Sequence, residues 1–423
     1  MATPSDGRRR RSAASRVEIL DAAEAEFVAR GYADGSLRGV AARAGMSAPG
    51  VARHFADKEA LYTAMVERIN DRNLEAFRAL GVADRPPREQ VRLLLDRLLE
   101  RRDEATLYTN LIGEARRPSH AGHAFVAEQL SGIEGLLGGS LGPEARAVQA
   151  GWEGLRLMWL YEPSRIDPWT SLDRRIAEVG DGAGYPPLTT VRDPALHDPV
   201  PRDPARPSQP PARRLGPGAA AADDTDLPLR DRIVRAAGVV FAAEGFRKAR
   251  IRAIAAELDI PHTTLIYHFP TKEDLLREVL EAGGRPDQPR IASGDEARGL
   301  DYLREVYELA FAYPDAGDIS RVRSALAFEA VDPYHPAQAY FVERYGRLID
   351  RLRGVYREVQ ADGLLRPGVD PDEAGVWMLG LWEGLRIRSF YRDDQDAAEL
   401  VRLEINRSLV DPARIVGSRQ SDR

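Results

Sequence analysis

The chain contains the same stretch twice. Residues 16–67 read RVEILDAAEAEFVARGYADGSLRGVAARAGMSAPGVARHFADKEALYTAMVE, and residues 230–281 read RDRIVRAAGVVFAAEGFRKARIRAIAAELDIPHTTLIYHFPTKEDLLREVLE. They align without a gap, Phe27 on Phe241 and Lys58 on Lys272, each pair 214 residues apart. A long-period duplication requires two similar bodies, and each copy checks the reading of the other.

In the first copy Ile19, Leu20, Ala23 and Phe27 share one stripe of a helix that stops at Gly31. The second repeats this with Ile233, Val234, Ala237, Phe241 and Gly245. Apolar residues three and four apart, ended by glycine, predict an amphipathic helix and its cap. A second helix carries Leu37, Val40, Ala41 and Ala44, matched by Ile251, Ile254, Ala255 and Leu258. Small Ala41 and Ala255 leave room for a third helix to approach. Gly45 then occupies a turn position where a left-handed residue is expected; Asp259, its counterpart, tolerates that conformation less well. A short third helix is predicted over 47–55 and over 261–269. Two helices joined by a short turn form a helix-turn-helix, which lays its second helix in the major groove of DNA.

Both copies resemble the TetR family of bacterial transcriptional regulators. The resemblance rests on the Gly-Tyr/Phe that ends helix one, the R-x-x-A-A of helix two, and the closing H-F-x-x-K-E-x-L. The last motif comprises His54, Phe55, Lys58, Glu59 and Leu61 in one copy, and His268, Phe269, Lys272, Glu273 and Leu275 in the other. It extends more loosely into the later regions. Glu114-Ala115 and His120 pair with Glu329-Ala330 and His335, 215 residues apart, and the Trp-Glu-Gly-Leu-Arg at Trp152 recurs at Trp382, 230 apart. Extra chain around Val359–Pro371 accounts for the difference. The resemblance therefore implies an all-α fold of two TetR-like subunits in one chain. Each has a three-helix DNA-binding domain and a helical domain for ligand binding and dimerisation.

The resulting organisation is a disordered basic arm (1–15), a first helix-turn-helix domain (16–62) and a first helical regulatory domain (63–180). A linker rich in Pro, Gly and Ala (181–228) joins them to the second helix-turn-helix domain (229–276) and second regulatory domain (277–412), and a disordered tail (413–423) follows. In the first half, helices are expected over 62–80, 90–101, 105–116, 123–137, 145–161 and 171–179. The linker has no apolar periodicity and is long enough, extended, to leave the docking of the halves unrestricted.

The formal net charge of −6 alone argues against nucleic acid. Locally the balance reverses: residues 8–69 hold eleven Arg or Lys against eight Asp or Glu, and residues 229–285 hold ten against eight. The acidity lies elsewhere, as expected when only part of a molecule meets phosphate. The absence of cysteine excludes disulfide and thiolate chemistry and fits a reducing cytoplasm. No apolar run is long enough to span a bilayer, and MATPSDGRRRRS lacks the apolar core of a secretory signal. Arg8–Arg11 reads equally as a minor-groove arm or as a solvated charge run. A cytoplasmic, nucleoid-associated protein is expected.

By the resemblance, base contacts fall on Ser47, Ala48, Pro49, Gly50 and Arg53 in the first copy, and on Pro261, His262, Thr263, Thr264 and Tyr267 in the second. His262, Thr263 and Thr264 offer hydrogen-bonding groups and methyls suited to base edges. Ala48-Pro49-Gly50 offers almost none and weakens its helix, leaving Arg53 as the one strong reader there. Ser36 supplies the family's phosphate-binding hydroxyl, replaced by Arg250 in the second copy. The family's phosphate-touching tyrosine is Ala52 here and Ile266 there, with Tyr267 as a partial substitute. The second unit is thus the better DNA reader.

The chain has three lysines, Lys58, Lys248 and Lys272. Lys58 and Lys272 follow the N-cap candidates Asp57 and Thr271, where the helix dipole disfavours a cation. A DNA phosphate is the expected partner. His54 and His268, beside buried Phe, read as packed residues; His120 and His123 lack the further ligands of a metal site, and no cofactor is expected.

The resemblance implies an effector pocket and a two-fold interface in the later helices. Tyr108, Phe125, Trp152 and Trp159, and in the second half Phe328, Tyr340, Phe341 and Trp382, are candidate pocket residues, although aromatics at helical spacing more often form core. The apolar segments 151–161 and 376–391 can pair within one chain, giving an intramolecular pseudo-dimer; a homodimer of chains remains open. The partners expected are a double-stranded DNA operator and an unidentified small-molecule effector, with no membrane. The runner-up is a sensing or protein-binding helical module whose reading heads have decayed. No nucleophile–base set, metal-ligand set or phosphate-cradling glycine loop points to an enzyme.

Overall fold

The computed structural model describes residues 4–79, 89, 93, 100–131, 145–180, 227–282, 297–312, 318–391 and 397–411. The expected linker, the C-terminal tail, most of the helix expected over 90–101 and the end of the one over 123–137 lie outside them. The described residues are helical, with a single antiparallel bridge between Leu365 and Leu409.

The first half runs α1 (Pro4–Asp34), α2 (Leu37–Arg43), α3 (Ala48–Ala52), α4 (Lys58–Ala79), α5 (Arg102–Glu114), α6 (123–131), α7 (Ala145–Tyr161) and α8 (Pro168–Gly180). The second runs α9 (Leu229–Glu244), α10 (Ile251–Glu257), α11 (His262–His268), α12 (Lys272–Ala282), α13 (Gly299–Ala312), α14 (Asp318–Glu329), α15 (Gln338–Ala361), α16 (Pro371–Arg388) and α17 (Ala397–Ser408). One expectation is corrected at once. Helical backbone begins at Pro4 rather than at residue 16, so residues 4–15 extend α1 instead of forming a disordered arm. Proline is preorganised for the first helical position, and the Arg and Ala that follow are strong helix formers.

Each head closes around the predicted stripe. Ile19, Ala23, Phe27, Val40, Ala41, Val51 and Phe55 are buried in one; Ile233, Ala237, Phe241, Ile254, Ala255, Leu265 and Phe269 are buried in the other. Burying a phenylalanine such as Phe27 contributes roughly 2–3 kcal/mol. Helix one breaks at Gly31 and Gly245, both at positive φ (70° and 80°). The turn before the third helix uses the left-handed region in both copies, at Gly45 (φ 65°) and at Asp259 (φ 52°). Asp259 thus adopts the conformation that its side chain tolerates less well than glycine.

The halves meet in pairs of reciprocal contacts. A Cβ on Gly154 of α7 would lie 1.9 Å from the Gly380 carbonyl oxygen of α16, and one on Gly384 would lie 1.7 Å from the Ala150 carbonyl oxygen. Ala150 and Gly154 are the counterparts of Gly380 and Gly384, so one contact is the other with the halves exchanged. The Tyr161 hydroxyl donates to the Ala327 carbonyl (2.6 Å), and its counterpart Tyr391 donates to Ile112, the counterpart of Ala327. Gly113 of α5 faces its own counterpart, Phe328 of α14, with its Cβ position 2.9 Å from the Phe328 carbonyl carbon. Reciprocity with self-contact at the centre is the geometry of a two-fold interface, here between two different sequences.

Candidate nucleic-acid interface

The two reading heads differ in what they expose. In the first, Ser36 caps α2, its Oγ accepting from Gly39 N at 3.0 Å, and Ser47 caps α3 by accepting from Gly50 N at 3.2 Å. With their acceptor sides engaged, both hydroxyls keep a hydrogen to donate. The helix between Ser47 and Arg53 has only five residues, Ala48–Ala52. Ala48 and Pro49 are exposed, Gly50 is half-buried, and exposed Arg53 holds the C-cap. The expected span 47–55 is therefore shortened, with Ser47 as the N-cap and Arg53 as the C-cap.

In the second head α11 has seven residues, with Pro261 at the N-cap. Thr263 is exposed and His262 and Thr264 are half-buried, while Tyr267 is 85 % exposed. Ile266 is 38 % exposed and does not pack into the core. Arg250 is exposed at the N-cap of α10 and makes no capping bond with its side chain. Hydrogen-bonding groups, an aromatic face and a guanidinium thus line the second head where the first has Arg53 and two serines.

Lys58 and Lys272 do not reach outward. Lys58 Nζ lies 4.5 Å from the Tyr32 ring centroid and 5.9 Å from that of Phe27. Lys272 Nζ lies 4.5 Å from the Phe246 ring and donates to the Arg247 carbonyl at 3.2 Å. Burial pushes the Lys58 ammonium down to about 8 and lowers that of Lys272 too. Tyr32 and Phe246 are the aromatics of the Gly-Tyr/Phe motif, so two family motifs form one cation–π contact in each head. The aromatic face supplies what the helix dipole does not, so each lysine has a partner within its own head besides the phosphate expected of it. The shared offset of aromatic and lysine was the signal for it. A second matched pair completes the pattern, Arg16 over Phe55 (4.3 Å) and Arg230 over Phe269 (4.8 Å). Asp57 and Thr271 do cap the fourth helices, accepting from Ala60 N (2.8 Å) and Asp274 N (3.0 Å).

Behind the heads sits a charged cluster that sequence reasoning missed. Lys248 of head two pairs with Glu59 of head one and lies 3.7 Å from Glu114. Fully buried Asp332 pairs with Arg247 at 2.9 Å, and a Cβ on Gly31 of the first head would lie 2.1 Å from it. Glu329 accepts from the amides of Phe246 (2.9 Å) and Arg247 (3.2 Å). Burial, together with the negative charge of Glu329, pushes Glu114 up to about 7. Burial raises Glu329 as well, but His335 at 3.5 Å, Arg116 and the Phe246 amide outweigh it and hold that carboxyl at about 2. Burial lowers His120 to about 4, its Nδ1 accepting from Gly122 N at 3.0 Å. His123 instead contacts the Ala115 carbonyl through Nδ1 (2.8 Å), and His54 and His268 are only half-buried.

The candidate pocket aromatics pack against other described side chains. Phe328 lies against Gly113; Phe341 packs on Tyr161 of the other half (5.8 Å). Tyr340 donates to the Leu280 carbonyl at 3.1 Å. Arg156 lies over the rings of Tyr108 (4.6 Å) and Trp152 (5.9 Å), and Arg102 over Trp159 (5.4 Å). Phe125 and Trp382 are half-buried. None of the eight lines either of two small cavities, of about 70 and 40 Å³, seen among the described residues. No described helix is long and apolar enough to cross a membrane.

The family model for bacterial regulatory proteins of the tetR family matches twice, at residues 19–65 and 233–279. No curated protein matches the chain. Among solved structures, a TetR-family protein from Rhodococcus sp. is similar at 22 % identity and a TM-score of 0.35, covering 43 % of this chain and 97 % of its own. TylP, a TetR regulator from Streptomyces fradiae, is similar at 26 % identity and a TM-score of 0.35, covering 44 % of this chain and 90 % of its own. The matches place one TetR-type DNA-binding unit in each half of an all-helical fold, so this chain resembles a tandem TetR-like regulator.

Proposed function

We propose that this chain is a sequence-specific, DNA-binding transcriptional regulator, a ligand-responsive repressor whose two heads grip one duplex as an intramolecular pseudo-dimer, and that a small-molecule effector releases or retunes that grip. The reciprocal pair Tyr161–Ala327 and Tyr391–Ile112 carries the reading, because it relates the heads by a two-fold operation within one polypeptide. Such an arrangement sets two reading helices about one DNA turn, ~35 Å, apart. Because the heads expose different groups, the preferred site is an imperfect palindrome. The effector acts by binding one spacing of the heads better than another. Helix α4 is the lever in the first half, tied to α5 through Tyr62, whose hydroxyl donates to the Leu107 carbonyl at 2.8 Å.

Selection of bound sites from random DNA tests this, run with the parent, Arg53→Ala and Thr264→Ala. Each variant is expected to lose one half-site, at ~1–3 kcal/mol per lost base contact. Light scattering after size exclusion is expected to give the mass of one chain in the free protein. Enrichment of no site at all sinks the reading. The five-residue α3, with its Ala-Pro-Gly, favours a second reading in which the first head contributes phosphate contacts alone; an unchanged site profile in Arg53→Ala would select it.

A further inference from the structure

Where α8 of the first half meets α15, α16 and α17 of the second, a cavity of about 40 Å³ is lined by side chains from both. That is more than one water requires and suits a carboxylate group. Buried donor atoms on its lining that lack an acceptor include the indole Nε1 of Trp377, a residue 5 % exposed, and Nη1 of Arg174. Buried donors in folded proteins are nearly always satisfied, so orphans gathered on one small cavity point to an absent acceptor.

The carboxylates nearby are already engaged. Glu404 holds Arg175 at 3.0 Å, Glu373 accepts from Ser171 Oγ at 2.7 Å, and Asp370 accepts from the first amides of α16 at 2.9 and 3.1 Å. Arg407 shares the lining, and burial pushes its guanidinium down to about 10, a further reason for an anion to be favoured there. Trp377 also has a second role. A Cβ on Gly151 of α7 would lie 2.3 Å from its ring, so the side chain that lines the cavity also wedges the crossing of α7 and α16.

We propose that this junction binds one small anion, a carboxylate group received by Trp377 and Arg174, and that its occupant adjusts the packing of the two halves as an effector. The effector role rests on the regulator reading above; the binding itself does not.

Sodium acetate is the probe. The full chain is titrated at fixed pH with acetate, against equal increments of sodium chloride, and followed by calorimetry and tryptophan emission. Saturable binding of one acetate per chain is expected, with Kd on the order of 1 mM. At least tenfold weakening is expected in Arg174→Gln and in Trp377→Phe, with helical circular dichroism retained. Identical, non-saturating responses to acetate and chloride overturn the site and leave a water-filled gap, as does parent-like affinity in both variants. Butyrate separates two sources of the group: tighter binding than acetate identifies the head of a larger molecule, and exclusion identifies a free small anion. DNA affinity is measured through the same acetate series. Saturable acetate with unchanged DNA affinity overturns the effector role alone. A chain that binds acetate but no DNA fails the regulator reading and leaves the site standing.

Discussion

Lys248 of the second head forms an ion pair with Glu59 of the first, across the interface between the halves. The contact is one-sided, because the residue matching Lys248 in the first head is Asp34. It therefore ties together heads that a symmetric pair of first halves would push apart. Lys248→Glu sets a new carboxylate beside Glu59 and Glu114 and is expected to destabilise the chain by about 1 kcal/mol, the pair being partly exposed. Broader half-site spacing in selected DNA is expected with it. Urea unfolding of Lys248→Glu, Glu59→Lys and the double exchange checks this. Recovery in the double variant identifies the pair, and additive losses refute it.

The crossing of α7 and α16 requires glycine at two matched places. Any side chain on Gly154 or Gly384 meets a backbone carbonyl that cannot swing away. Gly154→Val or Gly384→Val is expected to cost about 3 kcal/mol through overpacking. The two halves are then expected to unfold in separate steps, visible as a second calorimetric transition. Gly354→Ala, at a position inside α15 with open space around it, is the control and is expected to stabilise the chain by about 0.5–1 kcal/mol.

Glu114 makes stability depend on pH in an unusual direction. Its folded value of about 7 lies above the ordinary 4.5, so the folded chain holds the proton more tightly. Its contribution is complete below 4.5 and is lost as pH rises through 7. His120, held at about 4, acts oppositely: its contribution is complete above 6.5 and is lost as pH falls through 4. The comparison of parent and Glu114→Gln is therefore the informative one. Between pH 5 and pH 7.5 the unfolding midpoint of Glu114→Gln is expected to rise relative to the parent. A constant difference across that range contradicts the assignment.

The position of Lys272 separates two kinds of DNA-binding residue. A phosphate ligand lowers the slope of log affinity against log salt by about one when removed. Lys272 lies on the Phe246 ring, with its proton on the Arg247 carbonyl. Lys272→Met is expected to leave that slope unchanged while lowering the melting temperature. Arg250→Ala, at an exposed position, is expected to reduce the slope and leave melting alone.

Much of the heads was legible because the information is local. Stripes such as Ile19–Ala23–Phe27, stops such as Gly31, and caps such as Asp57 and Thr271 depend on residues within a turn or two of each other. Having two copies exposed the asymmetry of Ala48-Pro49-Gly50 against His262-Thr263-Thr264. The aromatic partners of the lysines were not legible: Lys58 and Tyr32 are far apart along the chain and adjacent only in the fold. The packing of the candidate pocket aromatics was not legible for a related reason, since core and pocket use the same residue types at the same spacing. Phe341 packs on Tyr161, far away in the first half.

From the order of its residues alone, this protein is legible as a duplicated helical chain with two unlike helix-turn-helix units, because helix periodicity, capping and turn chemistry act over a few residues. Which surfaces meet was decided only in three dimensions. The Gly154–Gly380 approach, the Lys248–Glu59 pair and the junction around Trp377 each join groups more than 180 residues apart. Contacts of that kind depend on shape and burial, which no local pattern encodes.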